Sequence, residues 1–333
     1  MDLNTVWFLL ITILFIGFFF LEGFDYGVGM LLPWLGKTDE ERRAILQSIG
    51  PVWDSNEVWM ITAGGALFAA FPQVYATLFS GAYLALVLML MALIVRGVAF
   101  EFRNKRPERS WRETWDWLAF AGSLTAAFLW GVVVGNLMRG MAIDQDMYYW
   151  GGLLPLLNPF ALWAGLTFVA LFVMHGANYL ALRTTGALLE RVKAAAFKAW
   201  FVALGITVVF VLWAYVATDI LTHGGLVPAI LAALALLAVG YFQRQDAWGK
   251  AFVSSALTIV FATVMVFAGL YPRILISTIK PEYSLTIYNA ASSPYTLKVM
   301  TIVALIFVPI VLIYVGWTYW VFRGRVTGKD IAY

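Results

Sequence analysis

The chain has 333 residues, 62% of them hydrophobic and 12% charged, with a mean hydropathy of +0.83 and a formal net charge of +3. So little polar surface cannot coat a water-soluble globule of this size, and the composition indicates a polytopic membrane protein. There is no cysteine, which excludes disulfides and thiolate metal sites. Only two histidines remain as conventional ligands, and the small positive charge gives no sign of a nucleic-acid partner.

The start, Met1-Asp2-Leu3-Asn4, lacks the basic region of a cleavable signal peptide, so the first apolar run reads as a retained span. Nine apolar segments follow in order, near 5–33, 51–71, 74–101, 117–138, 159–182, 197–217, 226–242, 250–270 and 298–322. They predict an all-α integral membrane fold; long charge-poor runs exclude a β-barrel, whose strands alternate over about ten residues. With the N-terminus outside, 18 of the 22 Lys and Arg fall on the inner side, and only Arg139, Arg273, Lys280 and Lys298 fall outside. The asymmetry predicts an outside N-terminus and a cytoplasmic C-terminus. Trp111, Trp115 and Trp117 beside the basic third connection read as an interfacial belt.

The second segment, Gly50 to Pro72, poses the functional question. Pro51 and Pro72 bracket about one membrane thickness of helix, roughly 20 residues at 1.5 Å rise, and Asp54 and Glu57 stand in its first two turns. In the first segment Glu22 and Asp25 lie in the inner part. Each pair is spaced i, i+3 and so shares a helical face. The predicted topology puts all four acids at one level near the cytoplasm, in neighbouring antiparallel helices. Intramembrane acids are costly and usually mark a proton or ion route. Asp54 and Glu57 also have a structural reading, since acids are favourable at a helix N-terminus or beside Arg42 or Arg43. Glu22 and Asp25 sit late in their helix, where the dipole opposes negative charge, and need a partner or a proton. Ala63-Gly64-Gly65-Ala66, Ala69-Ala70 and, on the first helix, Gly23, Gly27 and Gly29 predict close helix packing.

His175 lies in the fifth segment and His223 in the short connection after the sixth; neither has a second histidine at a matching level, so haem ligation by His175 is the minor reading. A short echo relates Glu22-Gly23-Phe24-Asp25-Tyr26 to His175-Gly176-Ala177-Asn178-Tyr179 at an offset of 153. It implies two parallel four-helix bundles, residues 1–138 and 159–270, plus a ninth helix and cytoplasmic tail at 298–333. Thr207 and Phe210 take the places of Asp54 and Glu57 in the second bundle.

Gly23 to Met30 (G-F-D-Y-G-V-G-M), Trp53 to Trp59 (W-D-S-N-E-V-W), Thr62 to Pro72, Trp115 to Trp117 (W-D-W), Leu156 to Phe160, Asn289 to Ser293 and Gly324 to Ile331 resemble subunit II of cytochrome bd quinol oxidase, in order along nearly the whole chain. The resemblance implies a bacterial plasma-membrane, electrogenic terminal oxidase of the respiratory chain that reduces dioxygen with quinol. It implies haems b and d in a related partner, subunit I, and no ligated cofactor here. It also implies a proton path along the subunit interface with the W-D carboxylate, Asp54, as entry, a possible structural quinone, and possible single-helix accessory subunits. On that reading Asp54 accepts cytoplasmic protons, Glu57, Glu22 and Asp25 relay them or set the field, and Thr62 continues the path. The connection from Thr218 to Leu226 is shorter than in some relatives, so contacts made there elsewhere do not transfer. A proton-coupled transporter and a purely structural assembly subunit are the alternatives; the transporter would place acids in corresponding positions of both halves.

Overall fold

The computed structural model describes residues 2–326; Lys329 and the end of the tail motif lie outside them. Eleven helices are present among the described residues: α1 (Leu3–Leu35), α2 (Asp39–Ile49), α3 (Trp53–Ala70), α4 (Pro72–Gly81), α5 (Tyr83–Phe102), α6 (Arg109–Arg139), α7 (Pro159–Arg183), α8 (Gly186–Ala217), α9 (Leu226–Arg244), α10 (Trp248–Leu270) and α11 (Pro294–Val321). Eight of these, α1, α5 to α11, are long and apolar enough to cross a membrane. The second predicted segment forms α3, 18 residues whose two acids lower its apolarity.

The third segment departs from expectation. It is not one helix but two, α4 and α5, meeting at Ala82, where the backbone leaves helical geometry. Pro72 opens α4 at a position where its missing N–H costs nothing. The basic connection after α1 is also not a simple loop. It folds into α2, started by a capping box in which Thr38 and Glu41 satisfy each other's backbone N–H groups. Two later helices begin earlier than hydropathy suggested, α6 at Arg109 and α8 at Gly186, because their polar first turns extend beyond the apolar stretch.

α1 is the hub. From Phe18 to Leu32 nearly every residue is buried, glutamate and aspartate included. Its neighbours are α3, α6, α7 and α10, and close approach to α7 rests on glycine: a Cβ on Gly27 would stand 2.0 Å from the Phe172 carbonyl and 2.9 Å from Gly176 Cα. Gly29 likewise admits Ser123 of α6. The glycines of α3 behave differently, for Cβ atoms on Gly64 and Gly65 would meet nothing within 4 Å. Among the described residues the close packing expected of this run is made at Ala63 and Ala70, both fully buried, and not at the two glycines.

At the end remote from α2, a short antiparallel ribbon, β1 (Arg273–Leu275) with β2 (Leu285–Thr286), joins the 140–158 segment through backbone bonds from Met141 to Ile276 and from Thr278 to Met141. α11 stands at the periphery with one buried residue, Leu297. It is tied to the body at a few points, by Trp7 Nε1 donating to the Leu297 carbonyl at 3.1 Å and by the Tyr319 hydroxyl donating to Asn56 Oδ1 at 2.8 Å.

Candidate functional site

The acids of α1 and α3 meet around a residue from a third helix. Arg96 of α5 is fully buried, and its Nη1 lies 2.5 Å from Glu57 Oε1 and 2.7 Å from Glu22 Oε1. The Glu57 contact has hydrogen-bond alignment; the Glu22 contact is a close ion pair without it. The guanidinium also sits over aromatic faces, 4.9 Å from the Tyr26 ring centre, 5.0 Å from Phe100 and 6.0 Å from Trp53. An aromatic cage of this kind compensates part of the desolvation of a buried cation.

Asp25 is buried one helical turn from Glu22 and accepts a 2.6 Å hydrogen bond from Asn56 Nδ2. Asn56 in turn accepts from Tyr319, so an α1 carboxylate, an α3 amide and an α11 phenol form one chain. Glu57 is the intermediate member: its side chain retains 19% exposure, against none for Glu22. Asp54 is exposed, close enough to Glu57 to act on it electrostatically and outside the buried group. Thr62 faces outward on α3, with its hydroxyl bonded to the Val58 carbonyl of its own helix. The structure therefore brings Glu22, Asp25 and Glu57 together, leaves Asp54 at the rim, and places Thr62 away from the cluster.

Arg42 and Arg43 do not serve these acids. Arg42 binds Asp116 of α6 at 2.8 Å, and Arg43 binds Asp39 at 2.9 Å. Asp116 is fully buried and also takes Arg103 Nε at 2.5 Å, while Asp39 gathers Arg103 and Arg112 at 3.0 and 2.8 Å. This network fastens α2 to α5 and α6. Partial burial acts to raise the Asp39 carboxyl, and Arg103, Arg112 and Arg43 outweigh it and hold it below its ordinary range. Trp115 packs into the same region, and Trp117 projects 49% exposed beside Trp34.

Three participants escaped the sequence reading. Arg96 was countable only as one more inner-side charge, although an arginine within the apolar 74–101 run was a signal. Asn56 was visible as a polar residue between the two acids. Tyr319 carried no signal, because its role depends on how α11 docks.

His175 is fully buried. Its Nδ1 lies 2.7 Å from Ser255 Oγ, its Nε2 lies 3.1 Å from the Phe20 carbonyl, and its ring stacks on Phe252 at 4.8 Å. Both ring nitrogens are committed to protein groups, so the residue does not fit an axial haem ligand. His223 sits in the π-helical turn Leu221–Gly225 that precedes α9. Among the described residues no group of three His, Asp or Glu is placed to hold a metal ion.

The chain matches the family model described as cytochrome bd terminal oxidase subunit II over residues 3–322. It belongs to that family. The cytochrome bd ubiquinol oxidase subunit 2 of Bacillus subtilis is 41% identical, with 99% of this chain and 98% of that one covered. The cytochrome bd-I ubiquinol oxidase subunit 2 of Escherichia coli K12 is 40% identical, with 99% and 96% covered. In fold, the chain resembles the bd oxidase structure from Geobacillus thermodenitrificans, with a TM-score of 0.76 at 16% identity over 94% of this chain and 98% of that one. Membership makes this a multi-pass subunit of a quinol oxidase complex, an oxidoreductase, and removes the independent transporter from consideration.

Proposed function

We propose that this subunit supplies a proton inlet to the oxidase, running from Asp54 at the basic end through Glu57 to the buried Glu22, Arg96 and Asp25 group. The observation that carries the reading is a gradation of burial: Asp54 is exposed, Glu57 is half-buried and bonded to Arg96, and Glu22 and Asp25 are fully buried, Glu22 against the same guanidinium. Three carboxylates against one arginine leave surplus negative charge in a low-dielectric setting, and taking up a proton relieves it. Glu22 and Asp25 stand close enough for one carboxyl to bond the other once protonated, and Arg96 Nη2 has no hydrogen-bond partner among the described residues, which suits a cluster that exchanges protons.

The basic end, with Lys37, Arg42, Arg43, Arg103 and Arg112, is the cytoplasmic end on this reading, with the N-terminus outside and the membrane that of a bacterial cell. α1 and α7, the helices that carry the sequence echo, meet closely at Gly27 and Gly176, which supports two four-helix bundles joined along these helices with α11 outside them. Haems b and d belong to subunit I and supply the redox chemistry there. Subunit I docks on the outward face of α3, where Gly64 and Gly65 are open; single-helix accessory subunits would take other exposed faces. A structural quinone would suit the apolar cavity of about 340 Å³ between α1, α6, α7, α8, α9 and α10, where Thr207 Oγ1 is buried with no hydrogen-bond partner among the described residues.

The test is Asp54→Asn in the assembled complex. Quinol oxidase turnover and proton uptake are expected to fall, most steeply toward alkaline pH where protons are scarce. Unchanged turnover across pH would sink the entry role. A structural reading remains for the Glu22–Arg96 ion pair, because it joins α1 to α5; Glu22→Gln separates the two, since a packing role lowers stability without altering the pH profile.

A further inference from the structure

A second cavity, of about 530 Å³, opens between α11 and the body of the protein. Its walls are apolar and aromatic, with Phe20, Trp59, Phe252, Leu312 and Tyr319 among them, and among the described residues no carboxylate lines it. At its basic end stand two arginines, Arg183 at the close of α7 and Arg323 just past α11. Arg183 is only 6% exposed; Nη1 donates to the Phe322 carbonyl at 2.5 Å, and the buried Nε has no hydrogen-bond partner. Arg325 adds a third positive charge at the same corner, where it bonds the Thr184 carbonyl at 3.0 Å. Among the described residues none of the three arginines enters an ion pair, whereas Arg42, Arg43, Arg96, Arg103 and Arg112 all do.

We propose that this cavity is a binding site for a phospholipid with an anionic headgroup, its phosphate held by Arg183 and Arg323 and its acyl carbons filling the space beneath α11. The chemistry is complementary at both ends: the buried Arg183 guanidinium has no counter-ion among the described residues and, with the exposed Arg323 beside it, suits an anion, while an apolar gap beside lipid is filled by hydrocarbon. Basic pockets between membrane helices select anionic lipids for this electrostatic reason, with about 1 kcal/mol per arginine near the surface. The occupant would also replace the packing that α11 lacks, since that helix touches its own chain at few points. Tyr319 lies in the cavity wall, so the lipid would steady the phenol that donates to Asn56. The site is separate from the Arg96 cluster and stands whether or not that cluster conducts protons.

The purified two-subunit complex, stripped with detergent and placed in nanodiscs of mixed phosphatidylglycerol and phosphatidylethanolamine, provides the test by native mass spectrometry. Wild type is expected to retain phosphatidylglycerol in preference. Arg323→Gln, an exposed change that disturbs only its own helix end, is expected to weaken retention about fivefold. Gly316→Phe probes the other end: Gly316 lines the cavity and its Cβ position meets nothing within 4 Å, so the ring would occupy acyl space with both arginines intact. Loss of bound lipid in that variant supports the site. Equal retention in all three proteins, preference for phosphatidylethanolamine, or a map of the complex with subunit I side chains filling the cavity overturns it.

Discussion

Replacing Arg96 by leucine removes the positive charge around which Glu22, Glu57 and Asp25 are gathered. Glu22 suffers most, because its only ionic partner among the described residues stands 2.7 Å away and its side chain has no exposure. Breaking a buried pair from one side costs about 3–5 kcal/mol. Glu57, at 19% exposure, can turn toward water, so its share is closer to that of a surface pair, up to about 1 kcal/mol. Losing the contacts with Tyr26 and Phe100 adds about 0.5–2 kcal/mol. The double variant Arg96→Leu with Glu22→Leu is the informative comparison, since an apolar replacement of both partners is often neutral. It is expected to recover at least about 2 kcal/mol of what the single change loses, a coupling well outside the scatter of independent sites. Sodium dodecyl sulfate titration of the assembled complex, followed by tryptophan fluorescence, measures both. The reasoning fails if Arg96→Leu unfolds at the wild-type midpoint, or if the double variant is no more stable than the single one.

Gly27→Ala should abolish a folded complex in size-exclusion chromatography, because its methyl would enter the Phe172 carbonyl at 2.0 Å; Gly65→Leu should leave the subunit folded and impair only recovery of the two-subunit complex. His175→Gln is expected to leave haem content unchanged in the visible spectrum, since both ring nitrogens already bind Ser255 and the Phe20 carbonyl; loss of a haem band would refute this. Acidification should release α2. Asp39 is held below its ordinary 3.8 when folded, so its stabilising contribution is present above that value and is lost as pH falls through the lower folded value. Proteolysis in the 37–50 connection is therefore expected to rise only in strong acid, and in Asp39→Asn already at neutral pH; a connection equally protected in both proteins would count against the clamp.

Hydropathy located the spans because a bilayer demands unbroken apolar length, and the i, i+3 spacing of the acid pairs was readable because helical geometry is local. What joins them was not local. Arg96 lies 39 residues from Glu57 and 74 from Glu22, and nothing in a charge count separates a guanidinium that closes a buried cluster from one that marks a cytoplasmic loop. Asp116 was legible as part of a tryptophan-flanked motif, but its two arginines come from α2 and from just beyond α5. The break at Ala82 was equally hidden: neither Gly nor Pro marks the residue itself, and the apolar pattern runs through it. The open Gly64-Gly65 surface shows the opposite error. A small-residue stripe states that something comes close without saying whether it belongs to the same chain.

That ambiguity bears directly on α3. Asn56, Ala63, Leu67 and Ala70 form its buried stripe, while Asp54, Val58, Ile61, Gly65 and Phe68 form an exposed stripe at the same three-and-four spacing. Four of the five positions of that stripe would be as comfortable in lipid as against a protein. Asp54 would not, because a carboxylate facing hydrocarbon is expensive, and its place in the first helical turn moderates that cost only near the interface. A second subunit covering this stripe, as proposed above, would give the carboxylate a protein or water boundary and Gly64 and Gly65 a backbone to meet. Glu57 stands between the two stripes, half-exposed on one side and bonded to Arg96 on the other. On the proposed inlet, the outer part of the route would be completed only at assembly, and the inner part, from Glu57 to Asp25, would lie within the single chain.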